Sequence, residues 1–319
     1  MNPTGQPVPQ HYQLTVRAAH GNDKGYAGHK ILRKTVITGW ILARDRVMLV
    51  QIQASILYTT VLHVFHSGKG GSMYIIHPIV MGTKIVDKGM MTYQHDYGKP
   101  CTIPLYSWYI AGGDANILVD TGEMHPVVSE AREQAIGGRI YTFEDGLAKF
   151  GLTPEDIDIV LHTHLHNDHC ENDYKCIHAK IYVHKKELER IHDPHPLDFR
   201  YLVDYIEEVE ENGQIIALSE DTEIQPGITM IHTPAHTEGG MSIRVETSQG
   251  SVLICGFCTI LENLYPPKAV TAMEMEVIPP GTHVNSYEAY ATLVRAKTLA
   301  DHILPLHEPR WAAMERVPA

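Results

Sequence analysis

Residues Leu161 to Glu171 read Leu-His-Thr-His-Leu-His-Asn-Asp-His-Cys-Glu, and they set four histidines and one aspartate into the eight positions from His162 to His169. Directly before them, Ile157-Asp158-Ile159-Val160-Leu161 reads as a short buried strand, so the polar run leaves a rigid edge. His164, His166, Asp168 and His169 are the chemically apt members: two imidazoles two positions apart, then a carboxylate and a third imidazole. Neutral imidazole nitrogens and carboxylate oxygens suit a borderline cation such as zinc. His162 is expected to lie outside the ligand set, because its neighbours at the next alternate positions already fill it.

Thr163-His164-Leu165-His166-Asn167-Asp168-His169 resembles the HxHxDH signature of the metallo-β-lactamase superfamily. The text around it, including Ile181-Tyr182-Val183-His184-Lys185-Lys186-Glu187-Leu188, is most similar to the N-acyl-homoserine lactonase branch. The likeness runs from about Tyr74 to about Trp311. It implies an α/β fold, an αββα sandwich of two mixed sheets packed face to face, with helices outside and the metal site at one edge. It also makes Asp120, at the end of Asn116-Ile117-Leu118-Val119-Asp120-Thr121-Gly122, the aspartate that holds the ligand geometry without touching metal. His236, in Thr233-Pro234-Ala235-His236-Thr237-Glu238-Gly239-Gly240, and His307, after Ile303-Leu304-Pro305-Leu306, fall on the later ligand positions.

The resemblance therefore implies that His164, His166 and His236 bind one ion, while Asp168, His169 and His307 bind the other. Three protein ligands leave a position open, which marks a catalytic rather than structural zinc site. Two divalent ions are expected, zinc first, with iron or manganese as alternatives. The implied activity is hydrolysis of a small carbonyl substrate, a cyclic ester, amide or related bond, by metal-held hydroxide, with Asp168 also shuttling the proton. Two other readings stay open: a non-hydrolytic iron redox enzyme or lyase on the same scaffold, and a non-catalytic metal-binding protein.

One departure stands out. In the lactonase branch an Asp-Ala-Ser-Tyr sequence precedes Glu-Asn by a few residues, and supplies the aspartate that bridges the metals. Counting back from Glu262-Asn263, those places hold Gly256, Phe257, Cys258 and Thr259. Cys258 then becomes the candidate replacement ligand, a thiolate bridging one or both ions. Cys255-Gly256-Phe257-Cys258 is also a CxxC sequence, open to a redox reading or to a cysteine-only zinc site with Cys170 and Cys176.

Composition narrows the partners. A net charge of −12 over 319 residues disfavours nucleic acid. Small molecules are the expected ligands, and homo-oligomerisation is left open. Five cysteines without dense spacing point to a reducing compartment and a cytoplasmic location. Residues 1–72 read as an extension ahead of a catalytic domain spanning 73–319. Within the extension, Val47 to Phe65 is free of Asp, Glu, Lys and Arg, but its polar interruptions and β-branched content favour strands over a membrane span.

From Tyr74 onward, strands are expected at Tyr74–Ile76, Leu105–Ile110, Ala179–Val183 and Ile228–His232. Helices are expected from Thr142 to about Phe150, after Thr153-Pro154, over Lys185–Arg190, from Leu197 to Glu210 and from a cap near Ser286. The tracts Lys84–Pro104 and His192–Tyr205 are the expected lid and pocket.

Overall fold

The computed structural model describes the backbone of residues 17–18, 36–43 and 46–53, and residues 74–318 throughout. The chain divides into two compact units, Met1–Gly71 and Ser72–Ala319. In the first, β1 (Arg17–Ala18), β2 (Val36–Ala43) and β3 (Arg46–Gln53) form an antiparallel three-stranded sheet. The uncharged tract from Val47 is thus strand as far as Gln53, and its remainder lies outside the described residues. No helix among the described residues is long and apolar enough to cross a membrane.

The second unit holds two mixed sheets. One runs in the spatial order β4 (Ile75–Asp87), β5 (Pro100–Ala111), β6 (Ile117–Val119), β7 (Ile159–Leu161), β8 (Lys180–His184) and β9 (Ile215–Leu218). The other comprises β10 (Thr222–Gln225), β11 (Ile228–His232), β12 (Met241–Thr247), β13 (Gly250–Ile254) and β14 (His302–Leu304). Strand alternation builds the layers. Ile159 and Leu161 of β7 join Val252 and Ile254 of β13 in the core between the sheets, whereas Val160 and Leu253 face outward. Outside the first sheet, Val160 packs in a cluster with Phe143, Leu147 and Ile191 of the flanking helices; outside the second, Leu253 packs with Ala289 and Leu293 of the helix Ser286–Ala296. This is the αββα sandwich.

The pairing brings the chemistry to one edge. β6, β7 and β8 are mutually parallel, and so are β13 and β14. β11 runs the same way as β13, because each is antiparallel to β12. The loops bearing Asp120, His162–His169, His236, Cys258 and His307 all follow the C-terminal ends of these strands, where open α/β sheets present their sites.

Several local expectations need correction. The segment from Leu197 is no amphipathic helix: it is irregular until a single 3₁₀ turn at Val203–Tyr205 and a short helix at Glu207–Glu211. Tertiary contacts override its periodicity, since the Arg200 carbonyl accepts the Asn167 N–H at 2.9 Å. The helix after Thr153 is one 3₁₀ turn, Pro154–Asp156, with Asp156 accepting the Thr153 N–H at 2.8 Å. The helix expected from a cap near Ser286 is present as Ser286–Ala296, with Asn285 as the cap, accepting the N–H groups of Tyr287 and Glu288.

Candidate metal centre

Asp120 organises the loop after β7. Its carboxylate accepts the Thr163 N–H at 2.8 Å and hydroxyl at 2.7 Å, and takes a hydrogen bond from His169 Nδ1 at 2.8 Å. Its φ of 57° is left-handed, a conformation costing a non-glycine residue about 1–3 kcal/mol, and these three donors hold it there. Burial works to raise the Asp120 carboxyl, but His169 and His162 outweigh it and bring it down to about 2.

His162 spends both ring nitrogens on carboxylates, Nδ1 at 3.4 Å from Asp120 and Nε2 at 2.7 Å from Asp173. Burial opposes its charge, yet Asp173 and Asp120 lift it to about 10. It has no lone pair for a metal and belongs to the scaffold.

His164, His166 and His236 are the opposite case. Their donor atoms lie within 4.8 Å of one another, and all three rings are buried. Each ring ties its other nitrogen to the protein: His164 Nδ1 at 3.0 Å from Thr163 Oγ1, His166 Nε2 at 3.1 Å from Asp198, and His236 Nδ1 at 2.7 Å from the Thr282 carbonyl. His166 Nδ1 then faces His236 Nε2 at 3.1 Å, and His164 Nε2 is buried with no hydrogen-bond partner among the described residues. Burial holds all three below the usual imidazole range, His166 at about 4. Three neutral imidazoles turned toward one point, one of them orphaned, fit a divalent cation and little else.

Asp168, His169 and His307 stand beside them, but among the described residues only His164, His166 and His236 bring their donor atoms within 4.8 Å of one another. His307 gives Nδ1–H to the Pro104 carbonyl at 2.9 Å, and His169 gives its own to Asp120, so each keeps Nε2 free. His169 Nε2 lies 3.8 Å from Asp168 Oδ2, and the His169 and His307 ring centres are 5.6 Å apart. All six residues line one cavity of about 70 Å³, together with Lys84, Arg200, Thr282 and Cys258. Lys84 Nζ pairs with Asp168 Oδ2 at 2.9 Å. Burial acts to raise the Asp168 carboxyl, but His169 and Lys84 hold it far below the usual range.

Cys258 forms part of the apolar wall of this cavity, with Met91 and Ile103, and packs in one cluster with Ile260; its Sγ is 3.7 Å from Met91 Sδ. Burial pushes the thiol up to about 11. Gly256 cannot carry a carboxylate, since a Cβ there would fall on the Met241 carbonyl. Among the described residues no cysteines gather to hold a metal, and Cys170 and Cys176 lie in one core cluster, Cys255 in a second and Cys258 in a third. All five cysteines are free.

Four further residues carry the site without a sequence signal strong enough to mark them. Glu187, on the helix after β8, accepts the Leu165 N–H at 2.9 Å, the Tyr201 hydroxyl at 2.9 Å and the Gly239 N–H at 3.0 Å. It thereby ties the first histidine loop to the loop of His236. Asp198 and Arg200 come from the irregular stretch after His195, and Lys84 from β4. The tract beyond Arg200 opens into a cavity of about 440 Å³ lined by Arg190, Leu197, Tyr201, Thr282 and Val284 among others. The expected lid and pocket tracts thus do border the centre.

The model of the metallo-beta-lactamase superfamily matches residues 104–303, more than half of the chain. An N-acyl homoserine lactonase from a Bacillus species is 28% identical over 169 residues, 49% of this chain, and the chain spans 64% of that relative's length. An N-acyl homoserine lactonase of Agrobacterium fabrum is 26% identical over 212 residues, 59% of this chain and 75% of its own. Among solved structures, a probable metal-dependent hydrolase from Staphylococcus aureus superposes with a TM-score of 0.58 at 20% identity, covering 75% of this chain and 91% of its own. The B. thuringiensis lactonase with N-decanoyl-L-homoserine at its active site gives 0.58 at 22% identity, covering 74% and 94%. Those structures share the sandwich, and with the matched model and the histidine-rich edge they lead to one assignment: the chain belongs to the metallo-beta-lactamase superfamily.

Proposed function

We propose that this protein is a dinuclear metal-dependent hydrolase of a small carbonyl substrate, a cyclic ester, amide or related bond. One observation carries the reading: five histidines each commit one ring nitrogen to the protein, or leave it on Thr163, and turn the other toward a shared cavity that Asp168 also lines. Two divalent ions, zinc by donor preference, would be held by His164, His166 and His236 and by Asp168, His169 and His307, and when bound would acidify water and polarise a carbonyl.

The chain's own residues do the rest. Asp120 and Glu187 hold the ligand loops, so the donors are set before substrate arrives. The wall of Met91 and Ile103 keeps one side of the cavity apolar, while the larger cavity beside Arg200 leaves room for substrate. Asp168 receives and passes a proton at Oδ2, the oxygen now facing Lys84. In place of the missing bridging carboxylate we assign Cys258, whose thiol shares the cavity. The lactonase names of the relatives support an ester-type substrate. The test is a panel of lactones, amides and thioesters assayed with metal-loaded protein, alongside elemental analysis; two ions with no turnover of any member would overturn the hydrolase reading.

A further inference from the structure

Two cationic side chains reach the candidate metal centre, one at each set of ligands. Arg200 Nη1 lies 3.4 Å from His236 Nε2, and Lys84 Nζ lies 2.9 Å from Asp168 Oδ2. Both line the small cavity, and Arg200 also lines the larger one. Neither is an incidental surface charge. Arg200 is held by its Nε on Asp198 Oδ1 at 2.7 Å, and Asp198 is itself fixed by His166 at 3.1 Å, so the guanidinium belongs to the ligand scaffold. Its Nη2 has no hydrogen-bond partner among the described residues.

This placement is costly for a cation-binding site. Like charges a few ångströms apart repel in a partly buried site, and a divalent ion doubles the repulsion felt by a unit charge. The chain carries a net charge of −12, so acidic residues are plentiful, yet lysine and arginine occupy the rim. The bridging carboxylate that would offset part of the charge is also gone, since Gly256 has no room for a side chain. With the Cys258 thiol assigned to the bridging place, the two side-chain cations at the rim still call for an anion from outside. A carboxylate matches the planar fork of a guanidinium, and a lysine beside it adds a point charge.

We propose that the substrate carries an anionic group, a carboxylate beside the scissile ester or amide bond on its leaving-group side, which Arg200 and Lys84 bind at the mouth of the centre. The substrate class is thereby an acidic lactone, ester or amide rather than a neutral one. This rests on the hydrolase reading for its chemistry, but not for its binding.

The test separates the two. Binding of 2-hydroxyglutarate and of 4-hydroxybutyrate, the ring-opened products of γ-carboxy-γ-butyrolactone and γ-butyrolactone, is measured by calorimetry on zinc-loaded wild type, Arg200→Gln and Lys84→Met. Both probes offer one carboxylate and one hydroxyl to the centre; only the first has a second carboxylate. A charge-assisted contact of this kind is worth about 10- to 100-fold, so 2-hydroxyglutarate binds wild type tighter by that factor, and the ratio falls toward unity in Arg200→Gln and partly in Lys84→Met. Equal affinity of the two probes for wild type overturns the proposal, as does a preference that survives both substitutions. Should Arg200→Gln not fold, Lys84→Met decides alone. Hydrolysis of the two lactones is followed in parallel: selective binding without turnover of either would refute hydrolysis and leave the anion site standing.

Discussion

Glu187 and Leu165 are 22 residues apart, and the Glu187 carboxylate accepts the Leu165 N–H at 2.9 Å, at the one backbone position between the proposed ligands His164 and His166. The other oxygen takes the Gly239 N–H at 3.0 Å, three residues beyond His236. One buried side chain thus ties together the loops of a proposed ligand triad drawn from two sheets. In Glu187→Gln an amide N–H₂ must face an N–H or O–H donor. The variant is expected to lose about 2–4 kcal/mol of stability and about tenfold in affinity for the first ion, read by urea midpoint and by chelator competition. Unaltered metal affinity in a folded variant would show that the tie is structural only.

His169 and His162 should separate ligand from scaffold. With Nε2 of His169 free and both nitrogens of His162 on carboxylates, His169→Ala is expected to lose one of two ions and nearly all turnover. His162→Ala should keep both ions but lose about 3–5 kcal/mol, because Asp173 and Asp120 are left buried beside a missing partner. Elemental analysis after dialysis, paired with thermal melts, reads the two effects; one ion lost from each variant would reverse the assignment of His162.

Cys258 is assigned to the metals on position and on the closed door at Gly256. Burial raises the thiol to about 11, so only a cation at hand would make it a thiolate near neutral pH. Cobalt-substituted wild type is expected to show a sulfur-to-metal charge-transfer band that Cys258→Ser abolishes. A wild type without the band, together with a serine variant holding both ions at full activity, refutes the thiolate.

Glu123 gives the pH dependence. Its carboxyl fills the space left by Gly82, and burial, aided by Asp168 and Glu171 against Lys84, pushes it up to about 7 from 4.5. A carboxyl raised on folding stabilises most below pH 4.5 and loses that contribution as pH climbs through 7. The shift sets a ceiling of about 3 kcal/mol, which partial exposure reduces to about 1–2. Glu123→Gln in chelator-treated protein should therefore raise stability by about 1–2 kcal/mol at pH 8 and by little at pH 5. Equal urea midpoints for variant and wild type at both values would assign the carboxyl an ordinary pKa.

The histidine loop could be read in advance because its chemistry is local: a strand pattern, then donors at close spacing. His236 and His307 could be read only as strand-end histidines until the resemblance placed them. The Leu197–Glu210 stretch misled for a physical reason. Its apolar spacing suits a helix, but Leu197 and Phe199 are more than 80% exposed, while Asp198 and Arg200 turn in to His166 and His236. Such contacts join residues more than 30 positions apart and leave no period to detect. Lys84 was equally silent, since a lysine near the end of a strand is ordinary until the opposite loop is known.

Each proposed triad takes ligands from both sheets: His164 and His166 follow β7 while His236 follows β11, and Asp168 and His169 follow β7 while His307 follows β14. The ions would act as rivets along one rim of a sandwich held elsewhere by apolar packing. Metal supply then governs the protein's lifetime as well as its chemistry. A chain starved of zinc would gape first at that rim, exposing the loops around His166 and His236 to proteases while the far side of the two sheets stays shut.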